Sequence, residues 1–166
     1  MTDKQKEFLR LHVICQEDYN TISNKLNESR ASLSQWYEEL KLERMEITKI
    51  RTLWKRKKIC SDFEVFYKWY KSHEHRCDYC GITEKEISFL IENRQLETKR
   101  LATRGRSLEL DRKDPKLMYD DLNNIVFACY WCNNAKTDTF TYQEFKEVGN
   151  VFSKIWKERY KNIVDK

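Results

Sequence analysis

Cys77-Asp78-Tyr79-Cys80 and Cys129-Tyr130-Trp131-Cys132 decide how the second half of this 166-residue chain folds. Two residues between paired cysteines let one tight turn aim both thiolates at a single ion. Two such turns complete the tetrahedral four-cysteine shell that structural zinc prefers. One C-x-x-C alone is also a redox pattern, whereas two in one small domain are a zinc pattern. Gly81 follows the first pair, where a tight turn wants a residue tolerant of positive φ. Forty-eight residues separate Cys80 from Cys129, so something must fold within that insert. Cys15 and Cys60 stand outside the pattern and are expected to be ordinary buried thiols.

The insert holds two strand-like runs, Ser107–Asp111 and Ile125–Cys129, joined by a loop containing Asp114-Pro115. Everything else reads as helix, since three Gly and one Pro are the only strong breakers. Ser61/Glu64, Thr83/Glu86 and Thr141/Glu144 are S/T-x-x-E patterns that open helices by reciprocal capping. Phe140 and Phe145 have the spacing of a hydrophobic staple across the third of these. The helices that follow place Phe63, Phe66 and Tyr70, then Ile87, Leu90 and Ile91, then Val148, Phe152, Ile155 and Trp156 on inward faces.

Toward the N-terminus, Phe8, Leu11 and Cys15 share one helical face, and Tyr19, Ile22 and Leu26 share a second. Leu33, Trp36, Tyr37 and Leu40 share a third. Asn27 tolerates the left-handed turn between the last two, and Ser29 is a natural N-cap. Three short helices with such a turn are what a helix-turn-helix requires. The stretch TISNKLNESRASLSQW, residues 21–36, resembles the helix-turn-helix of resolvase-like and homeodomain-like proteins. It departs from them at Asn27 and Glu28, where Gly and an apolar residue are usual. The resemblance places Arg30, Ser32, Ser34 and Gln35 on the outer face of a DNA-reading helix; on the residues alone they are the solvent face of a trihelical bundle. Residues 41–58 continue as helix, with Ile47, Ile50 and Trp54 on one side.

Net charge is +5, and residues 1–58 carry most of it, with 13 basic against 9 acidic side chains. Lys49 to Lys58 holds six Lys or Arg and no acid, and Lys99 to Arg106 holds four and no acid. Such runs suit a polyanion, with Lys55, Arg56, Lys57 and Lys58 the candidates for phosphate contacts. No apolar stretch is long enough to span a bilayer and no signal core opens the chain, so a soluble, cytoplasmic protein of bacterial or phage type, without a membrane partner, is expected.

The order C-x-x-C, Glu109-Leu110-Asp111-Arg112, Asn124 and Cys132-Asn133-Asn134-Ala135-Lys136 resembles the zinc-bearing HNH, or ββα-metal, endonucleases. CDYCGI, LELDRKDP, NNIVFACYWCNNAKTD and FTYQEF are similar in particular to the branch that contains the restriction enzyme PacI. The resemblance spans about residues 66–156. It implies a zinc-stapled ββα-metal nuclease domain over 59–166; with the N-terminal helical helix-turn-helix bundle and linker over 1–58, the chain is expected to be α+β, mostly α. It implies that Cys77, Cys80, Cys129 and Cys132 bind structural zinc, that Asp111 and Asn133 hold a catalytic Mg2+ or Mn2+ (with Asn134 the fallback if register slips), and that Asn124 ties the hairpin loop. A carboxylate and an amide oxygen suit such a hard cation, and few protein ligands leave room for phosphate and water.

Where the family usually has a His general base after the metal-binding Asp, this chain has Arg112. A guanidinium has no acceptor lone pair, so Arg112 is a candidate phosphate clamp and not the base. Tyr79, His75, His73 and Tyr119 remain open as base candidates, with Tyr79 preferred because a rigid knuckle holds it near the strand end. The expected activity is metal-dependent cleavage of DNA, restriction-like or homing-like, with a homodimer as one way to cut both strands. The rival expectations are a DNA-binding regulator whose nuclease site has decayed at Arg112 and a zinc adaptor that recruits a protein.

Overall fold

The computed structural model describes residues 1–97 and 104–165. Part of the Lys99 to Arg106 run therefore lies outside the described residues. The chain forms two compact units, Met1–Ser72 and His73–Lys166. The division falls after Ser72, not after Lys58 as expected. The helix that opens near Ser61 packs on the one before it and belongs with the first unit.

In the first unit, α1 (Asp3–Leu9) runs into a wider turn over Arg10–Ile14, followed by α2 (Tyr19–Leu26), α3 (Arg30–Glu39), α4 (Lys41–Lys57) and α5 (Phe63–Ser72). Asn27 is left-handed at φ 49° and ends α2, and the Ser29 hydroxyl accepts from the Ser32 amide to start α3. The core gathers Phe8, Leu11, Ile22, Leu33, Ile47, Ile50, Phe63 and Phe66. The wide turn interrupts the expected face at Cys15, which is exposed, as is Cys60; neither is the buried thiol expected. Ser61 does not cap α5. The neighbouring Asp62 carboxylate accepts from the Glu64 amide, and the Glu64 side chain instead meets Arg10 and Lys68.

In the second unit, α6 (Glu84–Glu92) precedes a two-stranded antiparallel sheet of β1 (Glu109–Arg112) and β2 (Ile125–Ala128), then α7 (Tyr130–Lys136) and α8 (Tyr142–Val164). The capping boxes at Thr83/Glu86 and Thr141/Glu144 both form, and Phe140 packs on Phe145. Register pairs Glu109 with Ala128, Leu110 with Phe127, Asp111 with Val126 and Arg112 with Ile125. The whole unit is therefore α+β and mostly α, with a small hairpin set among helices.

The inward face of α8 is rotated from the expected one. Phe145, Gly149 and Trp156 are buried while Val148 and Ile155 stand exposed. Gly149 is the reason. A Cβ there would lie 2.5 Å from the Tyr79 carbonyl oxygen, so α8 crosses the first knuckle at its one residue without a side chain. That crossing places Tyr79 between α8 and the sheet, with its ring edge-on to Phe145 at 5.1 Å.

Candidate metal and active site

The four knuckle cysteines converge. Cys77, Cys80, Cys129 and Cys132 are all buried, and their sulfurs lie within 4.8 Å of one another. Cys80 and Cys129 Sγ are 3.7 Å apart. Four sulfurs at about 2.3 Å from one tetrahedral zinc would be about 3.8 Å apart, so the cluster has the size of a four-thiolate zinc shell and not of disulfides. Local turns aim the thiols. The Gly81 amide, at φ 78°, donates to the Cys77 carbonyl, and the Cys77 amide donates to the Ile82 carbonyl. Cys129 is the N-cap of α7, its sulfur accepting from the Cys132 amide. The Asp78 amide donates to the Phe127 carbonyl and ties the first knuckle to β2. Hydrogen bonds from Cys129, Cys132 and Cys80 drive the Cys77 thiol down, while bonds from Cys129 and Cys77 push Cys132 up. Four thiolates this close repel one another, and a dication is what would stabilise them together.

One face of β1 carries the chemistry. Glu109 and Asp111 are two apart and share that face, and α7 crosses it with Asn133 and Lys136 three apart on one side of the helix. Two rungs connect them. Asn133 Nδ2 donates to Glu109 Oε2 at 2.6 Å, and Lys136 Nζ stands 3.4 Å from Asp111 Oδ2. Lys136 is completely buried and also donates to the Arg112 carbonyl at 2.8 Å, which fixes the end of β1. Arg104 grips Glu109 with two bonds, 2.8 and 2.6 Å.

Asp111 is buried, and its Oδ2 accepts the Tyr79 hydroxyl at 2.6 Å. Its Oδ1 makes no hydrogen bond among the described residues. Burial, then the bond to Asp111, holds the Tyr79 phenol well above the usual phenol range. Arg112 turns to the hairpin loop, donating to the Leu117 carbonyl and to Asp138, an exposed partner at 3.2 Å. Tyr119 lies under that guanidinium and bonds the Leu110 carbonyl. Asn124 is buried and brackets the loop, accepting from the Asp114 amide and donating to the Asp114 carbonyl. His75 packs on Phe127, His73 is exposed, and Asn134 turns back to the Tyr130 carbonyl on the exposed side of α7.

The structure thus brings Tyr79 to Asp111, and Asn133 to the neighbouring Glu109. It leaves Arg112 on the loop side. Sequence reading missed Glu109, Lys136 and Arg104. The signal available for Lys136 was its place one helical turn after Asn133; Glu109 was legible as the alternate residue on the strand of Asp111.

In the first unit, Arg30, Ser34 and Gln35 are exposed on α3, whereas Ser32 is half-buried in the cap with Ser29. Lys55, Arg56 and Lys58 are exposed at the end of α4, and Lys57 is half-buried.

A strand, a loop, a second strand and a crossing helix, with a zinc-sized cluster of four cysteines at their base, give the second unit the architecture of a ββα-metal module. Among solved structures the chain is similar to PacI, a rare-cutting HNH restriction endonuclease described for the way it perturbs DNA. The two share 26% identity at a TM-score of 0.50, over 69% of this chain and 79% of that one. No protein-family model matches the chain, and no curated protein matches it. No helix among the described residues is long and apolar enough to cross a membrane.

Proposed function

We propose that the protein is a zinc-stapled, metal-dependent DNA endonuclease of the HNH kind that recognises a specific site. The observation that carries this reading is the buried Asp111 at the end of β1, one oxygen held and the other open, beside a helix that brings Asn133 to the same face. The similarity to PacI supports it.

Asp111 Oδ1 and Asn133 Oδ1 would hold Mg2+ or Mn2+. A bound cation supplies charge stabilisation on the scissile phosphate and the leaving oxygen. Lys136 and Tyr79 hold Asp111 Oδ2, so the carboxylate keeps one orientation. Arg112 clamps phosphate by exchanging Asp138, an exposed partner easily given up to a phosphate dianion or diester. Tyr79 is the base candidate closest to Asp111. It works as a base only while the charge of Asp111 is offset, because the resting bond keeps the proton on the phenol. His75 is the alternative.

In the first unit, Arg30, Ser32, Ser34 and Gln35 would read bases from α3, the second helix of a helix-turn-helix, and Lys55, Arg56, Lys57 and Lys58 would engage phosphates. A homodimer would provide two sites for the two strands of a duplex.

The test is incubation of the purified protein with varied duplex DNA and Mg2+, followed by sequencing of fragment ends. Fragments sharing one end sequence are expected. DNA binding that depends on salt but leaves the DNA intact would instead favour a regulator with a decayed site, and absence of both would favour an adaptor.

A further inference from the structure

We infer that Glu109 is a positioning residue that sets which end of the Asn133 side-chain amide faces the cation site. This rests on the proposed assignment of Asn133 as a cation ligand.

An asparagine amide has two unlike ends. Its oxygen is a hard donor for Mg2+ or Mn2+, and its NH2 group repels a cation. Rotation by 180° exchanges them at little cost in an unconstrained side chain. Asn133 lies in the first turn of α7, and its side-chain amide is oriented by a bonding partner. Glu109 is that partner, 2.6 Å from Asn133 Nδ2. An ionised carboxylate only accepts hydrogen bonds, so the NH2 end must turn to it and the oxygen must turn away. Asn133 Oδ1 makes no hydrogen bond among the described residues, which leaves it available as a ligand.

Arg104 keeps Glu109 in this role. Its two bonds hold the carboxylate in place beside the amide, and Glu109 is only 17% exposed at its side chain. The chain Arg104, Glu109, Asn133 therefore acts on the cation site from one side. Lys136 and Tyr79 act on Asp111 from the other. The spacing makes both possible at once: residues i and i+2 on a strand meet residues i and i+3 on the helix crossing it.

The probe is Mn2+ binding to the zinc-loaded, full-length protein without DNA, measured as loss of the free-ion paramagnetic resonance signal. Glu109→Ala should weaken Mn2+ binding by about 10–100-fold, the usual effect of removing a partner that orients a metal ligand. Glu109→Gln should stay within a few-fold of wild type, because its amide oxygen still accepts from Asn133 Nδ2. In an Asn133→Ala background, Glu109→Ala should change nothing further. Should Glu109→Ala lose zinc or helical content, Glu109→Leu keeps the strand side chain without an acceptor and is read the same way. Wild-type Mn2+ affinity in the acceptor-free variant would overturn the inference. So would an equal loss in the Asn133→Ala background, which would mean Glu109 acts by another route. If Asn133→Ala itself binds Mn2+ as wild type does, the ligand assignment fails, and that outcome is distinct from failure of Glu109 alone.

Discussion

Replacing Gly149 with alanine sets two effects of opposite sign against each other in one helix. Alanine is favoured over glycine inside a helix by about 0.8–1 kcal/mol, so on propensity alone Gly149→Ala stabilises α8. The structure opposes this. The new Cβ would lie 2.5 Å from the Tyr79 carbonyl oxygen, 2.7 Å from its carbonyl carbon and 2.9 Å from its Cβ, where ordinary contact begins at 3.4 Å. Two of those three atoms are backbone and cannot rotate away, so α8 and the knuckle must separate by most of an ångström. Overpacking of this kind costs about 1–3 kcal/mol, and a backbone contact belongs at the upper end. The net expectation is destabilisation of the second unit by about 1–2 kcal/mol. A unit of this size loses roughly 4–8 °C in melting midpoint per kcal/mol. Thermal melting of the zinc-loaded protein, followed by near-ultraviolet circular dichroism, measures it. Because the displaced segment carries Tyr79, the 2.6 Å bond to Asp111 is strained as well, and cleavage should fall along with stability. A melting midpoint that rises in Gly149→Ala would refute the close crossing and with it the placement of Tyr79.

Three further expectations concern the zinc, the base and the DNA contacts. The protein should carry about one tightly held zinc per chain, and Cys129→Ser should unfold the second unit, because structural zinc binding and folding are coupled; elemental analysis of folded protein without zinc would contradict this. Tyr79→Phe should lose ~10²–10⁴-fold in turnover at neutral pH with DNA affinity nearly kept, and Arg112→His should restore part of the loss if the two positions supply one function; a wild-type rate would leave Tyr79 a packing residue and move attention to His75. Arg30→Ala and Gln35→Ala should relax sequence preference, while neutralising Lys55, Arg56, Lys57 and Lys58 should weaken binding to every sequence and flatten its salt dependence; unchanged cleavage patterns in both sets would assign residues 1–72 a structural role.

What could be read from the sequence was what short-range physics controls. Asn27, Ser29, Thr83 and Thr141 shape the turns and caps their side chains suggest, because each acts on backbone within a few residues. The cysteine spacing located the four-thiol cluster for the same reason. Ser61 failed as a cap because Asp62, the next residue, competes for the same amides. The buried face of α8 was misread because Gly149 has no side chain to enter a hydrophobic pattern, yet its contact with Tyr79 sets the helix rotation. The break between units was misplaced because α5 has its packing partner in α4, which no spacing reveals. Glu109 and Lys136 were overlooked although their spacing was visible, because their roles depend on how α7 lies over β1. Arg112 was visible as a departure from the family, but its partners Asp138 and the Leu117 carbonyl are set by the loop fold.

The central claim is that Asp111 holds a cation that drives cleavage of DNA, separately from the cysteines that hold the fold. Nicking of a supercoiled plasmid in Mg2+ by the wild-type protein and by Asp111→Ala, with zinc content and melting measured on the same samples, tests it most directly. Nicking by wild type, none by Asp111→Ala, and undiminished zinc in both are expected. Nicking by Asp111→Ala at the wild-type rate would contradict the claim.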